Sequence, residues 1–365
     1  VSDRFAENLL TWYRREKRDL PWRKTDDPYR IWVSEIMLQQ TRVDTVIPYW
    51  HRFLAAFPTV HHLANADRQQ VLKLWEGLGY YSRGRNLHDA ARTVADKYDG
   101  RLPDTYEKIS ALKGIGPYSA AAILSIAFNK PYAVVDGNVI RVITRYFGIE
   151  EDIRSASVRN RVREHAEELI PNNEPGDFNQ AVMELGATVC TPKNPQCSSC
   201  PVSAGCIANQ TSRTDVIPYK SKAKKIPHHK IGVGLIVNQS GKLLIALRPE
   251  DAMLGGLWEF PGGKNDTGES LEETVIRELR EELGVEVRVS EKYMQLKHAY
   301  SHFKITLHAY WCTIISGNPQ PKSSEKLKWV SLDELEQHPF PKANKILVEG
   351  LQNMQPEDLK RFLIK

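Results

Sequence analysis

Apolar residues in the first part of the chain recur every three or four positions, and in the last part every second position. Phe5, Leu9, Leu10, Trp12 and Tyr13 fall at helical spacing. Pro21-Trp22-Arg23 ends that helix, and Asp26-Asp27-Pro28 opens a second over 29–42. The same period predicts helices over 46–57, 68–75, 83–98, 105–112, 119–128, 139–147, 157–169 and 177–187, with the short connections of an all-α array. From 207 to 230 the pattern dissolves into a linker carrying Lys220, Lys222, Lys224, Lys225 and Lys230. The pattern then turns strand-like and predicts strands over 231–237, 243–247, 293–315 and 327–330, closed by a helix over 344–351. A chain of 365 residues is too long for one ordinary core. The expected fold is therefore multidomain, an all-α domain over 1–206, a basic linker over 207–230 and an α+β domain over 231–365.

Several positions break the pattern in ways that point to chemistry. Glu35 sits among Ile31, Trp32, Ile36, Met37 and Leu38, where an ionised carboxylate is out of place. It is either a solvated glutamate or a carboxyl whose apolar surroundings raise its pKa enough for acid catalysis near neutral pH. Leu112-Lys113-Gly114-Ile115-Gly116-Pro117-Tyr118 describes a tight turn feeding a helix whose first N–H groups stay free for a phosphate. Further on, Val135-Asp136-Gly137-Asn138-Val139 holds a second carboxylate at a turn before another helix. Tyr80 and Tyr81, after Gly77-Leu78-Gly79, read either as core packing at a glycine turn or as an aromatic wedge for a base stack.

Composition narrows the class. Apolar residues make up 41% and charged residues 26%, as in a soluble globular protein. No stretch approaches the roughly 18 apolar residues of a membrane span, and Val1-Ser2-Asp3-Arg4 lacks the layout of a signal peptide, so an intracellular protein is expected. A net charge of +5 permits nucleic acid without demanding it. Of five cysteines, Cys190, Cys197, Cys200 and Cys206 share a loop rich in Pro, Asn and Ser, while Cys312 reads as a buried thiol. Four thiolates so spaced suit either tetrahedral zinc or an iron–sulfur cluster. Late in the chain, Gly263, Glu269, Arg277, Glu278, Glu281, Glu282 and Gly284 form a glycine loop running into an acidic helix. The repulsion among its glutamates needs a divalent cation or a basic partner to offset it.

Together, Trp32-Val33-Ser34-Glu35-Ile36-Met37-Leu38-Gln39-Gln40-Thr41, the Gly114 to Gly116 hairpin, the Asp136 turn and the cysteine spacing resemble MutY-type adenine DNA glycosylases of the helix-hairpin-helix superfamily. The likeness covers essentially the whole length, and its C-terminal part resembles a Nudix domain. It implies a cytoplasmic, nucleoid-associated monomer that excises adenine mispaired with 8-oxoguanine or guanine from duplex DNA during base excision repair. It also implies a four-iron four-sulfur (4Fe-4S) cluster on Cys190, Cys197, Cys200 and Cys206. Hydrolysis of a glycosidic bond calls for two carboxyl groups in different environments. The resemblance makes Glu35 the acid that protonates N7 of the flipped adenine and Asp136 the stabiliser of the oxocarbenium ion, with Tyr118 and Asn138 in support. It assigns DNA contacts to Gln40, Thr41, Leu78, Tyr80, Gly114 and Gly116, the adenine pocket to Arg18, Trp22, Arg23 and Gln180, and the 8-oxoguanine edge to Ser301 and His302.

Three departures refine the expectation. Tyr118 stands where bifunctional relatives such as endonuclease III carry a nucleophilic lysine, and Lys113 is not at that position, so the enzyme is expected to leave the strand intact. The Nudix pattern is complete where the family's copy is degraded, which leaves a nucleotide pyrophosphohydrolase as an alternative activity. Tyr300 replaces the family's phenylalanine, keeping the ring and adding a hydroxyl.

Overall fold

The computed structural model describes residues 2–222, 226–266, 268–300, 302–359 and 362. Its helices are Ser2–Glu16 (α1), Pro28–Leu38 (α2), Val43–Ala56 (α3), Val60–Ala64 (α4), Arg68–Trp75 (α5), Ser82–Tyr98 (α6), Tyr106–Ser110 (α7), Pro117–Phe128 (α8), Gly137–Phe147 (α9), Ala156–Leu169 (α10), Pro175–Thr188 (α11) and Ile207–Gln210 (α12). Then follow His228–Ile236 (β1), Leu243–Leu247 (β2), Trp258–Glu259 (β3), Gly262–Lys264 (β4), Leu271–Leu283 (α13), Glu286–Ala299 (β5), Lys304–Ser316 (β6), Lys326–Val330 (β7), Lys342–Gln352 (α14) and Pro356–Leu359 (α15). The helical and α+β classes thus fall where the hydrophobic period predicts them.

Two compact units result, Val1–Asn65 with Asn86–Ala223, and Ala66–Arg85 with Lys224–Lys365. Neither expected boundary coincides with them. The stretch expected to be a free linker packs on the first unit, because the guanidinium of Arg145 donates to the carbonyls of Thr214 (2.8 Å) and Ile217 (2.8 Å). Lys224 and Lys225 of that expected linker lie outside the described residues. Conversely, α5 and the glycine turn after it belong with the second unit. Trp258 Nε1 donates to Gln69 Oε1 (2.9 Å), and Tyr81 Oη donates to the carbonyl of Phe340 (3.1 Å). Such contacts join residues far apart in sequence, so periodicity could not locate them.

In the first unit α8 is the central helix. Ala120, Ala121, Ala122, Ile123 and Leu124 are all buried, so no face of it is polar enough to meet water. α2 and α11 pack on it, α11 also packs on α9, and α1 closes over α11. The starts of α2 and α9 are fixed locally. Asp27 caps α2 by accepting from Tyr29 N (2.9 Å) with Pro28 at the first helical position, and Asp136 caps α9 by accepting from Val139 N (2.7 Å).

The second unit contains a four-stranded sheet, β4-β1-β6-β5, in which β1 runs parallel to β6, and an antiparallel three-stranded sheet, β3-β2-β7. α13 lies close on the first sheet because β1 offers glycines there. A Cβ at Gly234 would come 2.7 Å from Leu279 Cδ1. On the other side, Leu347, Val348 and Leu351 of α14 share a core with Leu307 and Trp311.

Candidate active site

A cavity of about 360 Å3 opens in the first unit where α2, α8, α9 and α11 meet, and both singled-out carboxyl groups line it. Glu35 projects from α2 and is 4% exposed. Burial, with a smaller push from the negative field of Asp136, raises its pKa from 4.5 to about 7, against the hydrogen bond from Tyr118 and the charge of Arg23. Tyr118 Oη donates to Glu35 Oε2 at 3.1 Å. The solvated alternative for Glu35 does not hold. Its side chain is enclosed in a site where the proton stays on to near neutrality.

Asp136 lines the same cavity from the cap of α9. Burial raises its pKa, while the N–H of Val139, the amide of Asn138 and the charge of Arg141 act the other way. Asn138 Nδ2 donates to Asp136 Oδ2 at 3.0 Å, and Asn138 Oδ1 accepts from Arg141 Nη2 at 2.8 Å. Arg141 continues to the carbonyls of Gly186 (2.6 Å) and Cys190 (2.7 Å), so the turn that carries the carboxylate is tied to α11 and to the cysteine loop. Gly186 must be glycine for this packing, because a Cβ there would lie 2.6 Å from Asn138 Cβ and 3.1 Å from its Cα. Gly186→Ala is expected to lower stability by about 1–3 kcal/mol, measured by thermal unfolding, and to slow turnover by displacing Asn138.

The adenine-pocket candidates line the same cavity. Trp22 is buried, Arg23 is nearly so, Arg18 is half open, and Gln180 lies beside them together with Thr41. Gln40 is exposed, with a left-handed backbone (φ 55°), an uncommon conformation for a residue with a side chain. The hairpin glycines differ in what they require. Gly114 has φ +81° and a Cβ there would sit 2.6 Å from Asn86 Cβ, whereas nothing lies within 4 Å of a Cβ at Gly116. Gly116 heads α8 without a side-chain cap, which leaves open space before free N–H groups. Lys113 is paired with Asp89 (2.6 Å) and does not line the cavity.

The remaining candidates belong to the second unit. Tyr80, also left-handed (φ 48°), lines a cavity of about 480 Å3 with Tyr300, His302 and Phe303. Tyr300 and Phe303 stack at 4.8 Å, and His302 is exposed. Leu78 is buried, 5% exposed, and therefore does not protrude as a wedge. Ser301 lies outside the described residues. On α13 the basic partner required by the glutamates is Arg277, which bonds Glu269 (2.8 Å), Glu278 (3.0 Å) and Glu281 (3.3 Å). Glu282 turns away to accept from Gly262 N (3.0 Å), and burial beside Glu259 raises its pKa to about 7.

All four clustered cysteines line one small cavity of the first unit, and Arg145 Nη1 lies 3.3 Å from Cys190 Sγ. Burial raises the pKa of Cys197, Cys200 and Cys206, that of Cys200 to about 11, and the negative field of Cys190 adds to each. Thiolates in such a place need a bound cation. Among the described residues no three His, Cys, Asp or Glu side chains are arranged to hold a single metal ion. Cys312 is buried in β6 and away from this loop, as expected for an inert thiol.

Sequence reasoning missed Glu184. It is 1% exposed on α11 and accepts from Arg18 N (3.0 Å), Arg18 Nε (2.7 Å), Arg18 Nη2 (2.8 Å) and Arg23 Nη2 (2.8 Å). Burial pushes its pKa up, but these bonds outweigh it and bring it down to about 2. The available signal was a charged residue at a buried position of the helix, the same signal that marked Glu35.

Residues 33–171 match the family model described as HhH-GPD superfamily base excision DNA repair protein, and residues 232–350 match the NUDIX domain model. With the site above, the first unit is that of a base excision DNA repair glycosylase. Adenine DNA glycosylase of Rattus norvegicus is 36% identical over 90% of this chain and 74% of its own, and that of Buchnera aphidicola is 31% identical over 95% and 97%. A thermostable thymine-DNA glycosylase structure, 32% identical, superimposes with a TM-score of 0.52 over 57% of this chain and 97% of its own. The chain belongs to the adenine DNA glycosylase family. It is a DNA glycosylase by class, and no described helix is long and apolar enough to cross a membrane.

Proposed function

We propose that the enzyme hydrolyses the N-glycosidic bond of adenine paired with 8-oxoguanine or guanine in duplex DNA and leaves the strand uncut. The observation that carries this reading is the pairing, in one cavity, of Glu35, protonated up to about pH 7, with Asp136, held by two N–H donors. An adenine turned out of the duplex enters between them. Glu35 delivers its proton to N7, which makes the base a neutral leaving group, and Tyr118 keeps the carboxyl aimed. As the bond stretches, positive charge grows on the sugar and ionised Asp136 faces it, an electrostatic stabilisation prepared before the reaction begins. Asn138 and Arg141 keep that carboxylate in place, and water then adds to C1′ of the cation and gives up a proton to Asp136 or solvent, which completes the hydrolysis.

Tyr118 supplies no amine to attack the sugar, and Lys113 is engaged by Asp89, which supports glycosylase action without strand cleavage. Gly114 and Gly116 would let a backbone phosphate meet the start of α8, while Thr41 borders the base cavity and Gln40 stands exposed next to it in the chain. The cavity of the second unit, with Tyr80, Tyr300 and His302, has the aromatic walls that a damaged purine would stack on. A 4Fe-4S cluster held by Cys190, Cys197, Cys200 and Cys206 would order a loop that has little packing of its own. Cys197→Ser is expected to lower iron content and DNA affinity several-fold more than it lowers the excision step, by iron assay and single-turnover kinetics.

The test is a duplex with adenine opposite 8-oxoguanine, incubated with the enzyme and then treated with alkali. Cleavage at the adenine is expected, whereas tight binding without cleavage would indicate a damage sensor. Phosphate release from 8-oxo-dGTP with magnesium, without adenine loss, would indicate a pyrophosphohydrolase.

A further inference from the structure

Glu184 contributes three of its four hydrogen bonds to Arg18 and one to Arg23, and the Arg23 guanidinium also donates to the Arg18 carbonyl at 3.0 Å. The two cations are thereby locked together in one wall of the base cavity. Arg23 lies 5.4 Å from the centre of the Tyr13 ring, so it is held on that side as well. A bidentate carboxylate between two guanidiniums fixes direction as well as charge. The groups whose fields act most on Glu35 are Tyr118 from α8, Asp136 from the cap of α9 and Arg23 from the turn at 21–23. Arg42 and Asp44 are the remaining charged groups of the wall next to Arg18.

We propose that Glu184 is a positioning residue of the excision reaction, which orients Arg18 and Arg23 toward the flipped base and cancels enough of their positive charge for Glu35 to keep its proton. The inference rests on the role of Glu35 as acid. Without the Glu184 carboxylate, Arg23 faces Glu35 uncompensated and draws the proton off. A residue that served only to hold α11 against the turn at 21–23 would change stability and rate without moving the titration of Glu35.

The experiment is the pH dependence of single-turnover adenine excision by the intact enzyme, with thermal unfolding of each variant alongside. In the wild type the rate is expected to fall above about pH 7. Glu184→Gln is expected to move that alkaline limb down by about one pH unit, the size of effect one nearby charge has at a partly screened site. Glu184→Asp, which keeps the charge, is expected to return it. An unmoved limb in Glu184→Gln, with a uniform rate loss that follows the loss of stability, overturns the proposal while leaving Glu35 as the acid. Absence of any limb in the wild type overturns both readings. Should Glu184→Gln not fold, Arg23→Gln is compared with the double variant Arg23→Gln/Glu184→Gln. Coincident limbs support the proposal, because Glu184 then acts on Glu35 through Arg23, and a limb about one unit lower in the double variant overturns it.

Discussion

Asp136→Asn is expected to bind the mispaired duplex yet excise adenine on the order of a thousandfold more slowly, since a neutral amide cannot stabilise the growing sugar cation. The substitution is informative because Asp136 has two jobs. Its Oδ1 caps α9 through Val139 N at 2.7 Å, and asparagine caps a helix about as well, so the turn should survive. Single-turnover kinetics beside a binding titration separates the two. Near-normal excision by a folded, binding-competent variant would remove Asp136 from the mechanism.

Glu35→Gln is expected to lose excision by about two to four orders of magnitude, the usual contribution of a general acid, while gaining stability at alkaline pH. The sign follows from the raised pKa. Below 4.5 the carboxyl is protonated in both folded and unfolded chains and costs nothing, and as pH rises to about 7 the folded chain must hold a proton or bury a charge. The wild type therefore loses stability across that interval, by about 3 kcal/mol at its upper end, and glutamine is spared the loss. Thermal unfolding at pH 4 and pH 8 should show coincident midpoints at the lower value and a more stable variant at the higher. A variant less stable at both would mean that Glu35 is structural. An active site that sacrifices stability for chemistry is an ordinary outcome of selection for function.

How much of this was legible in the chain depended on whether the information was local. Helix α5 and strand β2 have the bounds that the sequence predicts, because α5 carries its own helical period of apolar positions and β2 is a short continuous apolar run. Glu35 and Asp136 stood out because each breaks a local pattern, Tyr118 only through the family resemblance, and the fold brings all three to one cavity. What escaped was set by contacts at long range. Nothing near Gln69 announces that Trp258 will donate to it, so the transfer of 66–85 to the second unit could not be read. Glu184 escaped for a related reason, since a glutamate in a helix is usually solvated and only the arrival of Arg18 and Arg23 makes its burial tolerable. Leu78 shows the converse. Its neighbours matched a wedge, yet packing within the second unit buries it.

This cavity is expected to free adenine without cutting the strand. The most direct measurement uses a duplex whose mispaired adenine carries an isotopic label, mixed with excess enzyme in the presence of borohydride, with the released base and the strand analysed before any alkali. Free labelled adenine, an intact strand and no trapped protein–DNA adduct are predicted. Strand scission with a trapped Schiff base, or an unreleased label on a fully bound duplex, would contradict the account.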